Sequence, residues 1–269
     1  NAGQVTAMEN MIAAGAKTIL ITPSDAKAII PAIKRAQQQG VQVIALDSPT
    51  DPATAVDGLF ATDNYKAGVL IGQYAKVAMA GKKPVIATLD LFPGHPVGAQ
   101  RHNGFLKGFG LTAPDAKSNN LGGTAAGVAC MADSFGDAAK GQTGMENCLQ
   151  KNPGINLVYT INEPAAAGAY EALKAAGLED QALIVSVDGG CPGVQNVKEG
   201  VIGATSMQFP LLMASMGIEA IKTFADTGEK PMATDGLDFT NTGVELVTDK
   251  PVEGIPSITS EEALKKCWG

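Results

Sequence analysis

The chain has 269 residues, enough for one large domain or two of ordinary size, and it is 45% apolar but only 5% aromatic, so its cores must be aliphatic. Its formal net charge of −7 argues against a nucleic-acid surface, which needs a basic face. No apolar run approaches the roughly 20 residues that span a bilayer.

Taken in order, residues 4–14 have helical period, with Val5, Met8 and Ile12 on one face and Gly15 as the stop. Residues 18–22 read as a buried strand. A helix follows the loop Pro23-Ser24-Asp25 and runs to about Gln39, with Pro31 near the end of its first turn. Strand 41–46 carries Asp47 at its tip, and 59–61 is a short extended piece. Helix 67–79 holds the small residues Ala67, Gly68, Gly72 and Ala75, which suggest close packing. Strand 85–89, a rigid loop over 92–96 and a helix over 100–109, with Arg101 in its first turn, come next. Residues 112–127 are loop-like; an extended segment near 128–131 and a helix over 138–150 follow.

Residues 157–190 carry the clearest pattern. Apolar run 157–161 ends in Asn162-Glu163, helix 165–176 stops at Gly177, and apolar run 183–187 ends on Asp188-Gly189-Gly190. Short apolar runs separated by one amphipathic helix mark a βαβ unit with parallel strands. Residues 18–48 repeat the design, so two similar α/β lobes are expected. Helix 193–199, strand 202–208, helix 212–225, short strands 237–239 and 244–247 and a tail complete the chain, with Met207, Met213 and Met216 in core patterns. The lobes are expected at 1–62 with 209–240 and at 63–208 with 241–269, joined by short ordered crossings.

Comparison of the lobes carries a further expectation. The second reads strand, helix, extended segment and helix before its βαβ unit, whereas the first reads only a helix before its own. The first lobe is therefore expected to lack a strand, a helix and another strand, and the chain, which opens on Asn1 without a leader, to be processed or truncated.

The cysteines are Cys130, Cys148, Cys191 and Cys267, with no CxxC pair and no histidine nearby in sequence, so no zinc site is expected. An even count is compatible with two disulfides, in three connectivities, or with buried free thiols. The pairing expected is Cys130–Cys148, because a helix after the Cys130 strand can return Cys148 beside it, and Cys191–Cys267, pinning the tail. His95 and His102 are expected at the surface or behind a site.

No GxSxG and no GxxxxGK[ST] is present, and no paired general acid and base, so neither an enzyme nor a cofactor is expected. The polar strand ends are the stronger signal, because ligands of open parallel sheets sit outside the carboxyl ends of the strands. Asp47, Asn162, Asp188 and Gln208 each follow an apolar run, and Arg101 sits on a helix after a strand and its loop. Taken singly, each is a cap or loop residue. Together they pair acceptor-only carboxylates and a donor-only guanidinium with amides that do both, a set suited to the hydroxyls of a monosaccharide.

These residues also carry a resemblance. The patterns ILITPSDAKAIIPAIKRAQQQGVQVIALD, ATDNYKAGVLIG, RHNGF, VYTINEPAAAGAYEAL, VSVDGG and GATSMQF resemble the ribose/galactose/fructose-type (type I) periplasmic binding proteins, the receptors of ABC sugar importers. The stretch GVACMADSFGDAAKGQTGMENCLQKNP is similar to fructose-binding receptors. The resemblance implies two lobes, each a parallel sheet flanked by helices, with a ligand cleft between them that closes about a hinge. It implies a periplasmic location and a membrane permease as partner, with no direct membrane insertion and no nucleic acid. By motif, Asp47 and Asp188 accept from sugar hydroxyls, Arg101 donates, Asn162 and Gln208 contact the ligand, and Phe135 stacks on the ring. Ser48 stands where many relatives have arginine, and Val187 where an aromatic is usual. Fructose is favoured, with ribose-like sugars next. The alternatives are the effector domain of a lactose-repressor-type transcription factor and an enzyme of flavodoxin-like fold.

Overall fold

The computed structural model describes residues 2–122 and 127–269, so positions 123–126 of the loop expected over 112–127 lie outside the described residues. The chain runs α1 (Ala2–Ala13), β1 (Thr18–Ile21), α2 (Ile30–Gln38), β2 (Gln42–Leu46), a 3-10 turn (Ala53–Ala55), β3 (Gly58–Ala61), α3 (Asn64–Ala78), β4 (Ile86–Asp90) and α4 (Pro96–Phe109). Then come β5 (Val128–Asp133), α5 (Ala138–Lys151), β6 (Leu157–Thr160), α6 (Glu163–Ala175), β7 (Leu183–Asp188), α7 (Cys191–Lys198), β8 (Ala204–Met207) and α8 (Pro210–Thr227). The chain closes with β9 (Thr240–Asn241), β10 (Glu245–Val247) and α9 (Ser260–Ala263). No helix among the described residues is long and apolar enough to cross a membrane.

Contacts divide this into two α/β units, Asn1–Asp63 with Phe209–Gly243 and Asn64–Gln208 with Val244–Gly269. Asp63 and β9 both belong to the first unit. Its β9 pairs with β3 (Phe60↔Thr240), and the Asp63 amide donates to Asn241 Oδ1 at 3.3 Å.

In the first unit, four strands pair in the order β1-β2-β3-β9, all parallel. Strand alternation sends side chains to both faces. Ile19, Ile21 and Val43 pack with Met8 of α1 and Ile33 of α2. On the other side Ile44 and Phe60 pack with Met213 of α8. The helix expected straight after Asp25 begins later, at Ile30 with Pro31 in its first positions. Asp25 Oδ1 accepts from the Lys27 and Ala28 amides and so makes a separate turn instead of starting α2.

In the second unit six strands pair in the order β10-β8-β7-β6-β4-β5, with only β10 antiparallel. The few aromatics are concentrated here: Phe105 stacks on Tyr159 with ring centroids 4.6 Å apart, both fully buried. Helices α3 and α4 meet through glycines. A Cβ at Gly68 would collide with the Arg101 carbonyl and lie 2.8 Å from Phe105 N, and Gly72, Gly104 and Gly108 are hemmed in by facing backbone in the same way. The close packing expected from Ala67, Gly68, Gly72 and Ala75 is therefore backbone against backbone. Helix α4 starts at Pro96, ahead of the expected 100, because proline suits the first helical positions, so Arg101 lies beyond the first turn. Two disulfides, Cys130–Cys148 and Cys191–Cys267, have the expected pairing and leave no free cysteine.

Candidate functional site

The carboxyl ends of the second unit's parallel strands carry most of the candidate residues. Asp188 ends β7 and Gln208 follows β8 directly. Arg101 projects from α4 and is only 4% exposed. Its Nη1 donates to Asp188 Oδ1 at 2.8 Å and to the Ile161 carbonyl at 2.9 Å, and its Nε donates to Asn64 Oδ1 at 2.7 Å. Gln208 Nε2 also donates to Asp188 Oδ1, at 2.8 Å. Three of the expected residues therefore meet on one carboxylate oxygen. The other end of the Gln208 amide, Oε1, is buried without a hydrogen-bond partner among the described residues. A buried acceptor left unpaired is costly, and a hydroxyl donor supplied by a ligand would satisfy it.

Asn162 is partly committed elsewhere. Its Oδ1 caps α6 by accepting from the Ala165 amide at 3.2 Å, and its Nδ2 donates to the Gly136 carbonyl at 3.0 Å. It thereby ties the start of α6 to the turn that carries Phe135. Phe135 itself is 51% exposed. Phe92 stacks against it at 5.8 Å and Lys140 Nζ lies 3.9 Å over its ring. Asp47 lies in the first unit, just beyond β2, where its amide donates to the Phe60 carbonyl at 2.8 Å and Ser48 Oγ donates to its Oδ2 at 3.3 Å.

Backbone geometry singles out three of these residues by an independent route. Among the described residues, the non-glycine positions with positive φ are Asp47 (65°), Phe135 (56°) and Asp188 (131°). L-residues avoid this region, and such strain clusters at functional sites.

The residues behind the site were less legible. Asn64, which orients Arg101, and Phe92, in the loop after β4, carry no local pattern that marks them. Glu163 is 6% exposed and accepts from the Gly189 and Gly190 amides at 2.8 and 2.9 Å and from Thr205 Oγ1 at 2.7 Å. Burial and the neighbouring Asp188 carboxylate push it up to about 8. His102, expected at the surface or behind a site, is fully buried. Its Nδ1 faces Asp90 Oδ1 at 2.7 Å and its Nε2 faces the Gly122 carbonyl at 3.1 Å, so both ring nitrogens meet acceptors. Burial alone would push it down, but the Asp90 carboxylate outweighs that and it stands above its ordinary value. Among the described residues no cluster of three or more histidine, cysteine or acidic side chains could hold a metal.

Two α/β units with parallel sheets and polar groups at the strand ends define a class of solute-binding fold. The family model described as "Periplasmic binding protein domain" matches residues 1–230, and the chain belongs to that family. It is 30% identical over 217 residues to a ribose import binding protein of Bacillus subtilis, covering 81% of this chain and 66% of the relative's length. It is 30% identical over 256 residues to a D-ribose/D-allose-binding protein of Pseudomonas aeruginosa, covering 91% of this chain and 74% of that one. A solved ABC transporter periplasmic solute binding protein from Actinobacillus succinogenes, with bound D-allose, superposes with a TM-score of 0.78 at 26% identity, over 97% of this chain and 83% of that one.

Proposed function

We propose that this protein is the solute receptor of an ABC sugar importer and that it binds a monosaccharide by hinge closure. The observation that carries the reading is the Asp188 carboxylate, held at a strand end in a rare backbone conformation with Arg101 and Gln208 on one oxygen and the unpaired Gln208 Oε1 alongside. Asp188 accepts from sugar hydroxyls, Arg101 donates, and Gln208 does both. Asp47 adds a second carboxylate from the first unit, Asn162 an amide, and Phe135 an apolar face for the ring. The named ligands of the relatives support a sugar, since they are ribose and allose. Fructose is the first hexose to test, because residues 127–153 resemble fructose receptors. The two disulfides favour an exported, periplasmic receptor that docks on a membrane permease, and weigh against a repressor's effector domain, since cytosolic thiols stay reduced.

A thermal-shift screen of pentoses and hexoses, including fructose, ribose and allose, tests this. A ligand at a hundred times its Kd stabilises the fold by about 2.7 kcal/mol. No shift with any monosaccharide sinks the reading.

A further inference from the structure

Asp188 has φ 131° and is followed by Gly189 at φ 74°, so this turn needs a hold from outside its own sequence. The hold comes from Glu163, the first residue of α6. Its two carboxyl oxygens take the two amides that follow Asp188, one each, and Thr205 of β8 fixes the oxygen that faces Gly189. Gly190 is the N-cap of α7, and its own backbone amide is taken by Glu163 Oε2, the bond that the acidic partner of a capping box makes. The space for that carboxyl exists only because residue 193 is glycine, since a Cβ there would overlap the carboxyl group itself. From the other side the Asp188 carbonyl accepts from the Gln208 amide at 2.9 Å and from Trp268 Nε1 at 3.4 Å. Arg101 meets the Asp188 side chain and Gln208 meets both its side chain and its carbonyl, whereas Glu163 meets only the backbone amides that follow it.

We propose that Glu163, seated in the space left by Gly193, is the positioning residue of the sugar site: it acts on the ligand only through Asp188, by fixing the turn that points the Asp188 carboxylate. This rests on the reading of the protein as a sugar receptor. The charge that acts on Glu163 is that of Asp188, which is itself paired with Arg101. Glutamine at position 163 replaces one accepting oxygen with a nitrogen that only donates, so one of the turn's N–H donors loses its acceptor without emptying the space.

The test is a double-mutant cycle in sugar affinity, read by calorimetry. Glu163→Gln is expected to weaken binding about tenfold in the native background, equivalent to 1.4 kcal/mol, and to have no further effect in Asp188→Ala. Gly193→Ala, which displaces the same carboxyl without altering it, is expected to match Glu163→Gln, and serves if that variant fails to fold. Equal losses with and without Asp188 would mean a merely structural role and overturn the proposal, as would unchanged affinity. A readout without ligand separates this from the receptor reading. Hydrogen exchange at the Gly189 and Gly190 amides should quicken in Glu163→Gln. If wild type binds no monosaccharide, the receptor reading fails on its own, and unquickened exchange overturns the positioning role.

Discussion

The Asp188–Arg101 pair is where the chemistry of single residues is most exposed to test. Both side chains are largely buried, at 15% and 5% exposure, so removing either leaves a charge in a poorly solvated place. Asp188→Ala and Arg101→Ala are each expected to weaken sugar binding by about 1.5–3 kcal/mol, the range for hydrogen bonds to charged groups. Calorimetry checks this, and unchanged affinity in both variants removes them from the site. A second expectation concerns pH. His102 is raised above its ordinary 6.5, so its contribution to stability is complete below that value and is lost as pH rises through the folded value. Glu163 is raised from 4.5 to about 8, so the folded protein holds a proton that the unfolded chain has released across that window. Stability from this group too falls as pH rises. The melting temperature should therefore decline from mildly acidic to mildly alkaline pH, and Glu163→Gln should flatten part of the slope. A flat profile in wild type contradicts both assignments. Asp188 and Gln208 were legible because a strand end is visible from local periodicity, and Arg101 because it sits on the helix that follows a strand and its loop. His102 was not, because its burial depends on Asp90 and Gly122, which only the fold brings to it.

Helices α3 and α4 illustrate how far an element can be read before its partner is known. The small residues of α3 announced close packing, yet nothing local says that the matching glycines, Gly104 and Gly108, lie on α4. Helix α4 starts ahead of the expected 100 because His95-Pro96 opens the helix instead of closing the loop, proline being at home in a first turn. Gly68→Ala forces a methyl into the Arg101 carbonyl, and overpacking of this kind typically costs about 1–3 kcal/mol. Gly3→Ala, in α1 with nothing within 4 Å of the new methyl, should instead stabilise by about 0.5–1 kcal/mol. Urea unfolding of the two variants should move the midpoint in opposite directions. Because Gly68 packs beside Arg101, the first variant should also weaken sugar binding.

At the scale of the whole molecule, the repeated βαβ pattern was enough to give two α/β units, since parallel strands joined by helices have few solutions. Where the chain returns between them was harder to read. The pairing of β9 with β3 involves two residues on each strand and leaves little trace in periodicity. If the receptor reading holds, sugar should lower the radius of gyration measured by small-angle scattering, and an unchanged radius at saturation argues against closure. The two covalent bridges should appear in unreduced peptide maps as Cys130–Cys148 and Cys191–Cys267. The first closes a loop with sequence separation 18 and should stabilise by about 3 kcal/mol in the chain-entropy model, lost on reduction.

The second bridge has a consequence for how the chain comes apart. Cys191 and Cys267 are 76 residues apart in sequence, and the ring they close contains the whole of Phe209–Gly243, the returning segment of the other unit. A protease that nicks the chain once inside that ring, for instance at the exposed Met232, opens the ring without releasing a fragment. Such a sample should run as a single full-length band on a denaturing gel without reductant and as two pieces with it.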